Sequence, residues 1–535
     1  MNETLFSSVE EALAERLLAP YPEHAKAAFF IKVLLFAAKK GHLCLHIGDD
    51  KIEPSIHELL NLDQGDSVIK ESLKYLPPSL IQDVDLEPSA LKPICKRGNY
   101  YYFQRYFRAE SAVYREWQRL LKTLPKIASQ LAFDLGEQLL EEQKAAIELA
   151  CQKSFVILSG GPGTGKTFTA GRMVKALLQR LPLETRKNFK IALAAPTGKA
   201  AAQLEGSLNK SFVDFQQLNI TGQTLHSLLG VGKQEQLEAP LPFDLIIVDE
   251  SSMIDVELMA KLLTSVKTGA RLILIGDENQ LPPVEAGCIF ADLKALHPFT
   301  VTLKQCLRAE LKELVDFGKY VNLGKCNEAL SLLKSPPLHH IDPLQVPFKT
   351  LLEGVADQYC HQKEGKSFCL LTPLRQGPFG NQAINQFIAD FIKKRSKGTF
   401  KAPIIITAND SKLGLFNGEL GLLEKQDPHQ EGLSAQDKAF FSNHRCFFAL
   451  MLPRFEYAYC LSVHKSQGSE FDEIMLVLPE GSEHFGRKVI YTAITRARKK
   501  MTIYGSEEIF KKTLQNHAPR FSGIQGLVQC SQGCS

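Results

Sequence analysis

The sequence predicts an α/β protein with a mostly helical N-terminal domain and two parallel-sheet domains, the second of which carries a small β-barrel-like insertion. The first observation behind this prediction is that short apolar runs alternate with helical stretches in the middle of the chain. These runs are residues 155–159, 191–195, 245–248 and 272–275. A second observation is that apolar residues 368–371 begin a similar region. The third is that β-rich residues 400–456 interrupt this region, and that Asn417 and Gly418 within them are a hairpin signal.

The length of 535 residues accommodates three or four domains of about 150 residues each. Four segments are expected along the chain. They are a partner-interaction domain at residues 1–125, sheet domains at residues 126–335 and 336–520, with the insertion at about 400–456, and a frayed C-terminal tail at residues 521–535 that includes Cys530 and Cys534.

The N-terminal domain has helical apolar spacing at residues 9–18 and 25–38 and no catalytic constellation, so partner interaction is its expected role. Residues 42–47 predict a short strand. The alternative is a metal site around His42 and His46, but no further ligands lie nearby in the sequence. Aromatic residues 98–103 predict a half-buried hairpin strand or a partner contact, with base stacking as the alternative.

The composition is that of an ordinary soluble globular protein, with 44% hydrophobic and 23% charged residues. A net charge of +4, from 63 basic and 59 acidic residues, excludes a polybasic chain, so any nucleic-acid surface must be a local groove. No secretory signal pattern and no apolar run long enough for a bilayer is present, so no membrane contact is expected. The twelve cysteines are scattered without metal-finger spacing, which predicts reduced thiols in a cytoplasmic protein.

The first sheet domain contains a phosphate-binding pattern directly after its first apolar run. A strand, a glycine-rich loop and a helix together give the structural context that makes this pattern specific. The loop residues expected to hold a nucleoside triphosphate are Gly160, Gly161, Pro162, Gly163, Thr164, Gly165, Lys166 and Thr167. The glycines let backbone N–H groups surround the phosphates, Lys166 can reach the β- and γ-phosphates, and the Thr167 hydroxyl can hold Mg²⁺. The alternative is a glycine-rich turn, which does not explain the flanking strand and helix.

Two further strand ends carry the groups that ATP hydrolysis needs. Asp249 follows a buried strand and can bind the same Mg²⁺ as Thr167, while Glu250 can deprotonate the attacking water. The alternative for this acidic pair is a turn or a helix cap. Gln280 follows the next strand, and its amide can both donate and accept at the γ-phosphate or the attacking water. An ordinary polar turn would explain Gly276 and Asp277 but not the whole run that follows.

Other loops at strand ends suit contact with a sugar–phosphate backbone. In the first sheet domain, Pro196 and Thr197 follow one strand, and His226 lies in a second such segment. The second sheet domain ends with a histidine-containing motif at residues 464–471 and an arginine-containing motif at residues 491–498. Basic residues at a helix end also compensate the helix dipole, but this alternative predicts none of the residues in front of them.

Five motifs in this order resemble those of the superfamily 1 DNA helicases, and more closely those of the RecD family, the alpha subunits of bacterial exodeoxyribonuclease V. They read GGPGTGKT, DLIIVDES, GDENQLPPV, VHKSQGSEF and YTAITRAR. The resemblance implies that both sheet domains are RecA-like motor domains. It also implies that Gln143 recognises adenine and that Arg308 and Arg496 approach the γ-phosphate. The residues it implies for the single-strand track are Pro196, Thr197, His226, His464 and Ser466.

What the resemblance implies for function is an ATP- and Mg²⁺-dependent 5′-to-3′ DNA helicase that acts on single-stranded DNA and duplex ends. It further implies a heterotrimer with RecB-like and RecC-like subunits, of which a partner holds the nuclease site. One alternative is a stand-alone RecD-like helicase with the same motor. Another is a nucleotide-dependent structural subunit that clamps DNA without moving, which Glu250 and Arg496 disfavour because a pure switch needs no complete hydrolytic set. A third is an NTPase that does not act on DNA.

Overall fold

The computed structural model describes most of the chain, as an N-terminal domain followed by two lobes. The described residues are 5–85, 87–88, 90–125, 139–211, 220, 222–231, 240–307, 312–360, 367–396, 398–410, 412–442 and 444–532. Within them, no helix is long and apolar enough to cross a membrane.

The N-terminal domain is mostly helical but also contains a five-stranded sheet. Its helices are α1 (Ser8–Leu18), α2 (Ala28–Lys39), α3 (Ile56–Leu60), α4 (Gly65–Lys74) and α5 (Gln104–Lys122). Its strands are β1 (Cys44–Ile47), β2 (Ile52–Glu53), β3 (Ile81–Asp83), β4 (Ile94–Arg97) and β5 (Tyr100–Phe103), in the sheet order β2-β1-β5-β4-β3. The two segments expected to be strands are β1 and β5, and they pair antiparallel. Tyr101 and Tyr102 are buried in β5, so neither ring is available for stacking on a base.

Helix α5 attaches this domain to the first sheet domain. Its apolar face packs against the first sheet domain, and Trp117 on this face, which is 2% exposed, lies in the shared core. The indole N–H of Trp117 donates to Nδ1 of His297 at 3.0 Å, and Nε2 of His297 lies 3.0 Å from the carbonyl oxygen of Phe155. A buried aromatic residue whose polar atom is paired fixes the orientation of the two domains.

The first lobe is a six-stranded parallel sheet with helices on both faces. Its strands are β6 (Phe155–Gly160), β7 (Ile191–Ala195), β8 (Gly222–Thr224), β9 (Leu245–Val248), β10 (Arg271–Gly276) and β11 (Thr300–Leu303), in the order β11-β6-β10-β9-β7-β8. Its helices are α6 (Glu141–Gln152), α7 (Lys166–Gln179), α8 (Leu183–Asn188), α9 (Gly198–Ser211), α10 (Leu225–Leu228), α11 (Val256–Ser265) and α12 (Ile289–Leu296). Strands β6, β7, β9 and β10 are buried along their whole length and are mainly apolar, because both faces of a parallel sheet are covered.

The second lobe contains a five-stranded parallel sheet. Its strands are β12 (Leu338–Ile341), β13 (Phe368–Thr372), β19 (Cys460–Ser462), β20 (Phe471–Val477) and β21 (Ala497–Tyr504). They lie in the order β12-β21-β20-β13-β19. The helices of this part are α13 (Lys312–Leu323), α14 (Cys326–Leu332), α15 (Phe348–Cys360), α16 (Asn381–Arg395), α17 (Arg487–Ile494) and α18 (Glu507–Gln515).

The insertion in the second lobe is a separate antiparallel β-unit. Its strands are β14 (Phe400–Ile406), β15 (Leu420–Lys425), β16 (Lys438–Phe441), β17 (Cys446–Phe448) and β18 (Phe455–Tyr457), in the order β17-β16-β15-β14-β18. Alternate residues such as Ile404, Leu423 and Ala439 point into a small core of its own. Asn417 and Gly418 form a turn just before β15, in the connection between the antiparallel strands β14 and β15. This is the turn that the sequence indicates.

A frayed tail is expected at residues 521–535, but this is wrong for residues 524–532, which form a helix. Residues 533–535, which include Cys534, lie outside the described residues. The folded C-terminal segment comprises residues 516–532. It returns from the second lobe to the N-terminal domain and the first lobe, and it ends in helix α19 (Ile524–Gln532). The backbone N–H of Gly523 donates to the buried carboxylate of Glu110 at 2.8 Å, and Ile524 is fully buried in the core of the first lobe. Gly523 has no room for a side chain because the Tyr102 hydroxyl lies 1.8 Å from where its Cβ would be. The polar composition of the segment concealed these contacts.

Candidate nucleotide-binding site and adjoining cleft

The phosphate loop connects β6 to α7 at the centre of the first sheet. Gly163 and Gly165 adopt positive φ angles of 71° and 85°, which glycine alone takes up without a steric penalty. Gly160 is required for a different reason, because its Cβ would lie 2.7 Å from the Thr164 hydroxyl oxygen. The loop therefore turns tightly enough to present its N–H groups, together with the N-terminus of α7, to an anion.

Lys166 is folded back over its own loop. Its ammonium group donates to the carbonyl oxygens of Gly160 at 2.8 Å and Gly161 at 3.0 Å. Burial raises the pKa of Asp249 and of Asp277, and the nearby Lys166 ammonium opposes both shifts. The lysine is thus the cation that faces two carboxyl groups, and it is free to exchange two neutral carbonyl partners for phosphate oxygens.

The candidate magnesium ligands offer oxygen donors in a region with excess buried negative charge. Thr167 is the second residue of α7, and Asp249 directly follows β9 of the same sheet. The Asp249 carboxylate accepts the N–H of Glu250 at 2.7 Å. Besides burial, the adjacent Glu250 carboxylate raises the pKa of Asp249, so a cation at this position would relieve an existing electrostatic cost. Hydroxyl and carboxylate oxygens are the donors that Mg²⁺ prefers, and the residues fit this ion.

Glu250 is held in a left-handed backbone conformation with φ of 51°. Such a conformation costs a non-glycine residue about 1–3 kcal/mol and is concentrated at functional sites. Glu250 lies directly after Asp249 and before a 3₁₀ turn at Ser251–Met253. The chain therefore turns sharply directly after the candidate metal ligand Asp249, at the position of the candidate base.

Two glutamines at the site each have a buried amide atom without a hydrogen-bond partner among the described residues. Gln143, in α6, accepts the N–H of Leu140 through Oε1, while its Nε2 is unpartnered. This Nε2 lies 3.2 Å from the position of a Cβ on Gly165, at the end of the phosphate loop. Gln280 is 4% exposed and donates to Asp277 over 3.4 Å, while its Oε1 is unpartnered. Because an unpaired buried polar atom is costly, both amides are placed for a ligand.

Of the two arginines expected at the γ-phosphate, the structure describes Arg496. Arg496 is 4% exposed in the second lobe, where it donates to the Thr495 hydroxyl and to the Ser469 carbonyl oxygen. Arg308 lies outside the described residues. The N–H of its neighbour Leu307 donates to the carbonyl oxygen of Gly163 at 2.9 Å, so the segment leading to it lies on the phosphate loop.

Tyr491 in α17 is a contact across the interface that the sequence reading missed. Its hydroxyl donates to Oδ2 of Asp277 at 3.0 Å and lies 3.1 Å from the position of a Cβ on Gly161. A cavity of about 430 Å³ opens beside this contact, between the phosphate loop and helices α13 and α17. Its walls include Pro162 and Gly318. Tyr491 lies in a motif that the sequence singled out, but a tyrosine in a mainly apolar helix carried no separate signal.

A second cleft, of about 580 Å³, lies between the two lobes and the insertion. Four of the five residues expected on the DNA track line it together, namely Pro196, Thr197, His226 and His464. Burial lowers the pKa of His464 to about 4, and Arg520 adds to this effect, so its imidazole is neutral at pH 7. Ser466 does not line the cleft. It is fully buried, and its hydroxyl donates to the carbonyl oxygen of Val463 at 2.7 Å.

Comparison with known proteins connects both lobes to characterised families. Residues 138–338 match the AAA domain, and residues 457–504 match the UvrD-like helicase C-terminal domain. The RecBCD enzyme subunit RecD of Mycolicibacterium smegmatis is 32% identical over 80% of this chain and 82% of its own length. The ATP-dependent RecD2 DNA helicase of Deinococcus radiodurans is 32% identical over 68% of this chain and 49% of its own. The structure of the Pif1 helicase from Bacteroides in complex with ADP-AlF3 and ssDNA covers 74% of this chain at 17% identity and a TM-score of 0.43, with 97% of that structure covered.

Proposed function

The chain belongs to the RecD family of ATP-dependent DNA helicases, and on this premise we propose that it is the 5′-to-3′ motor of an exodeoxyribonuclease V-type enzyme. In this proposal it moves along single-stranded DNA and opens duplex ends for recombinational repair. The division of the chain into a partner-binding domain at residues 1–125, motor domains at 126–335 and 336–520, and a tail is part of the same proposal.

One observation carries the proposal, which is that a single loop joins the nucleotide site to the adjoining cleft. Gln280 donates to Asp277, a carboxyl group near the Lys166 ammonium of the phosphate loop, and Pro283, three residues after Gln280, lines the 580 Å³ cleft. Between them, the N–H of Leu281 donates to the Thr492 hydroxyl at 2.8 Å, and its carbonyl oxygen accepts from Gln467 at 3.1 Å. A group that senses the γ-phosphate is therefore connected to the second lobe and to the cleft within four residues.

The chemistry follows from the residues around the phosphate loop. Magnesium, when bound by Thr167 and Asp249, would neutralise charge on the phosphates. Glu250 would take the proton of the attacking water, and Lys166 would leave its two carbonyl partners for phosphate oxygens. Arg496 reaches the γ-phosphate only when the lobes close, and an arginine in this role contributes about 10³- to 10⁵-fold to the rate. Gln143 would hold the adenine, and Arg308 would be a second γ-phosphate arginine.

Lobe closure would change the grip on DNA because the cleft walls come from both lobes. Pro196, Thr197 and His226 belong to the first lobe, whereas His464 belongs to the second. Closing and reopening the interface would alternately tighten and loosen these contacts, which is how hydrolysis produces directed movement. In this proposal Ser466 shapes the turn that carries His464 and does not touch DNA.

The expected partners are RecB-like and RecC-like subunits, and a nuclease site in one of them. The basis is that the curated relatives are themselves described as RecBCD enzyme subunits and match most of this chain. We place the complex in the cytoplasm, where a bacterial chromosome lies. The stand-alone alternative is less well supported, because the chain covers only 49% of the RecD2 helicase from Deinococcus radiodurans.

The test is steady-state ATP hydrolysis by the purified chain with and without single-stranded DNA, beside Lys166→Ala. We expect strong stimulation by DNA that the variant lacks, and preferential unwinding of duplexes with a 5′ single-stranded tail. The measurements are repeated with RecB-like and RecC-like subunits. A chain that responds to DNA neither alone nor in the complex would refute the proposal, and efficient unwinding by the chain alone would favour the stand-alone helicase.

A further inference from the structure

Ser469 connects the 580 Å³ cleft to the nucleotide site. None of the roles described above explains this connection. The Lys199 ammonium, at the start of α9 in the first lobe, donates to the Ser469 hydroxyl of the second lobe at 2.8 Å. The backbone carbonyl of the same serine accepts from Nη1 of Arg496 at 3.4 Å. One residue, which is 2% exposed, therefore holds a cation from each lobe.

The two ends of this connection open into different cavities. Lys199 lines the 580 Å³ cleft in which DNA binding is proposed. Arg496 lies between Thr495 and Ala497, which line the 430 Å³ cavity beside the phosphate loop. The turn that carries Ser469 fits closely against the first lobe, since a Cβ on Gly468 would lie 3.7 Å from the Thr197 hydroxyl oxygen. The turn at Ser469 therefore contacts residues that belong to both cavities.

Within the part of the chain that the structure describes, neither cation forms an ion pair with a carboxylate, although Glu419 is close enough to oppose the lowering of the Lys199 pKa. Arg496 is held by the Thr495 hydroxyl and the Ser469 carbonyl oxygen, both of which are uncharged, and Lys199 by the Ser469 hydroxyl. Burial and the nearby Arg496 lower the pKa of Lys199 to about 8. Two like charges held close together in a desolvated interface repel one another, and an anion beside either one relieves the repulsion.

We propose that Lys199 and Ser469 are positioning residues that couple occupancy of the DNA cleft to the placement of Arg496 at the nucleotide site. The inference rests on the proposed function, because the anion for Lys199 is a DNA phosphate and the anion for Arg496 is the γ-phosphate. When a DNA phosphate binds Lys199, the Ser469 hydroxyl is released and the turn can follow Arg496 into the nucleotide site. Coupling of this kind is reciprocal, so ATP must change the affinity for DNA by the same factor.

The experiment measures the dissociation constant of fluorescent single-stranded DNA with and without a non-hydrolysable ATP analogue. The ratio of the two constants is the coupling, which is typically about 5- to 150-fold between linked sites. We expect Lys199→Met and Ser469→Ala each to bring the ratio to within about twofold of one, and the double variant to go no further, because both break the same connection. Lys199→Arg, which keeps the charge and the donors, should restore part of it.

The matched control is Lys465→Met. Lys465 lines the same cleft, but its ammonium pairs with Glu456 at 2.9 Å and does not contact Ser469. This variant should weaken DNA binding while keeping the ratio of the wild type. Full coupling in Lys199→Met, equal loss in Lys465→Met, or additive effects in the double variant would overturn the connection alone. A wild-type chain whose DNA affinity and hydrolysis are both independent of the other ligand would contradict the proposed function as well.

Discussion

Replacing Tyr491 by phenylalanine removes one oxygen atom from the interface between the lobes. That hydroxyl donates to Oδ2 of Asp277, a residue that is 2% exposed, at 3.0 Å. Without it, the one hydrogen bond to Oδ2 that remains among the described residues is the long contact of 3.4 Å from the Gln280 amide. A hydrogen bond to a charged group contributes about 1.5–3 kcal/mol and a neutral one about 1 kcal/mol. Burial raises the pKa of Asp277, so both the charged and the neutral form of its carboxyl group are considered. The range is then about 1–3 kcal/mol, which corresponds to a factor of about 5–150 in an equilibrium constant.

Under the proposed function, this factor applies to the equilibrium between open and closed lobes, because Arg496 is expected to act only in the closed state. We therefore expect Tyr491→Phe to lower kcat/KM for ATP at saturating single-stranded DNA by about 5- to 150-fold. The control is Tyr504→Phe, because the Tyr504 hydroxyl donates at 3.1 Å to the Val346 carbonyl oxygen within the second lobe. It should lower the melting temperature without changing turnover. Turnover of Tyr491→Phe within twofold of the wild type, or an equal fall in Tyr504→Phe, would refute the reasoning.

Three further outcomes are expected from single substitutions. Arg496→Ala should keep ATP affinity near that of the wild type and reduce hydrolysis by about 10³-fold or more, and weak binding with normal turnover would contradict this. Glu250→Gln should bind ATP and DNA but stall, so sustained hydrolysis would exclude Glu250 as the base. Burial raises the pKa of Asp292 to about 7, above its unfolded value near 3.9, so the folded state loses stability as the pH rises between these values. Asp292→Asn should therefore gain up to about 4 kcal/mol relative to the wild type above pH 7, and an equal difference in melting temperature at pH 5 and pH 8 would contradict this.

The parts of the site that the sequence predicts are those encoded within one short segment. The phosphate loop is such a part, because Gly163 and Gly165 occupy positive φ angles that leave a pattern in the chain itself. Asp249 and Gln280 could be recognised because each follows an apolar strand of a parallel sheet, where functional groups converge. Their roles in catalysis stay predictions until the variants are measured.

The parts that the sequence could not predict depend on contacts between distant segments. The hydrogen bond from Lys199 to Ser469 joins residues 270 positions apart. Ser469 lies in the motif at residues 464–471, but nothing in that motif indicates Lys199 as its partner. Tyr491 likewise begins the motif at residues 491–498, and its partner Asp277 is 214 positions away. Ser466 is expected on the DNA track because its motif resembles one of the superfamily 1 helicases, but a 3₁₀ turn at His464–Ser466 leaves the serine fully buried.

The C-terminal segment also constrains the order in which the protein can fold during synthesis. Gly523 bonds to Glu110 across 413 positions, and Ile524 and Leu527 fill the core that surrounds Trp117. A ribosome that adds about 5–20 residues per second needs about 20–80 s to make the intervening chain. During this interval the buried Glu110 carboxylate lacks one of its partners and an apolar surface stays open. The N-terminal domain therefore leaves the ribosome well before the segment that completes it, and nascent chains that stop short of Gly523 should depend on chaperones.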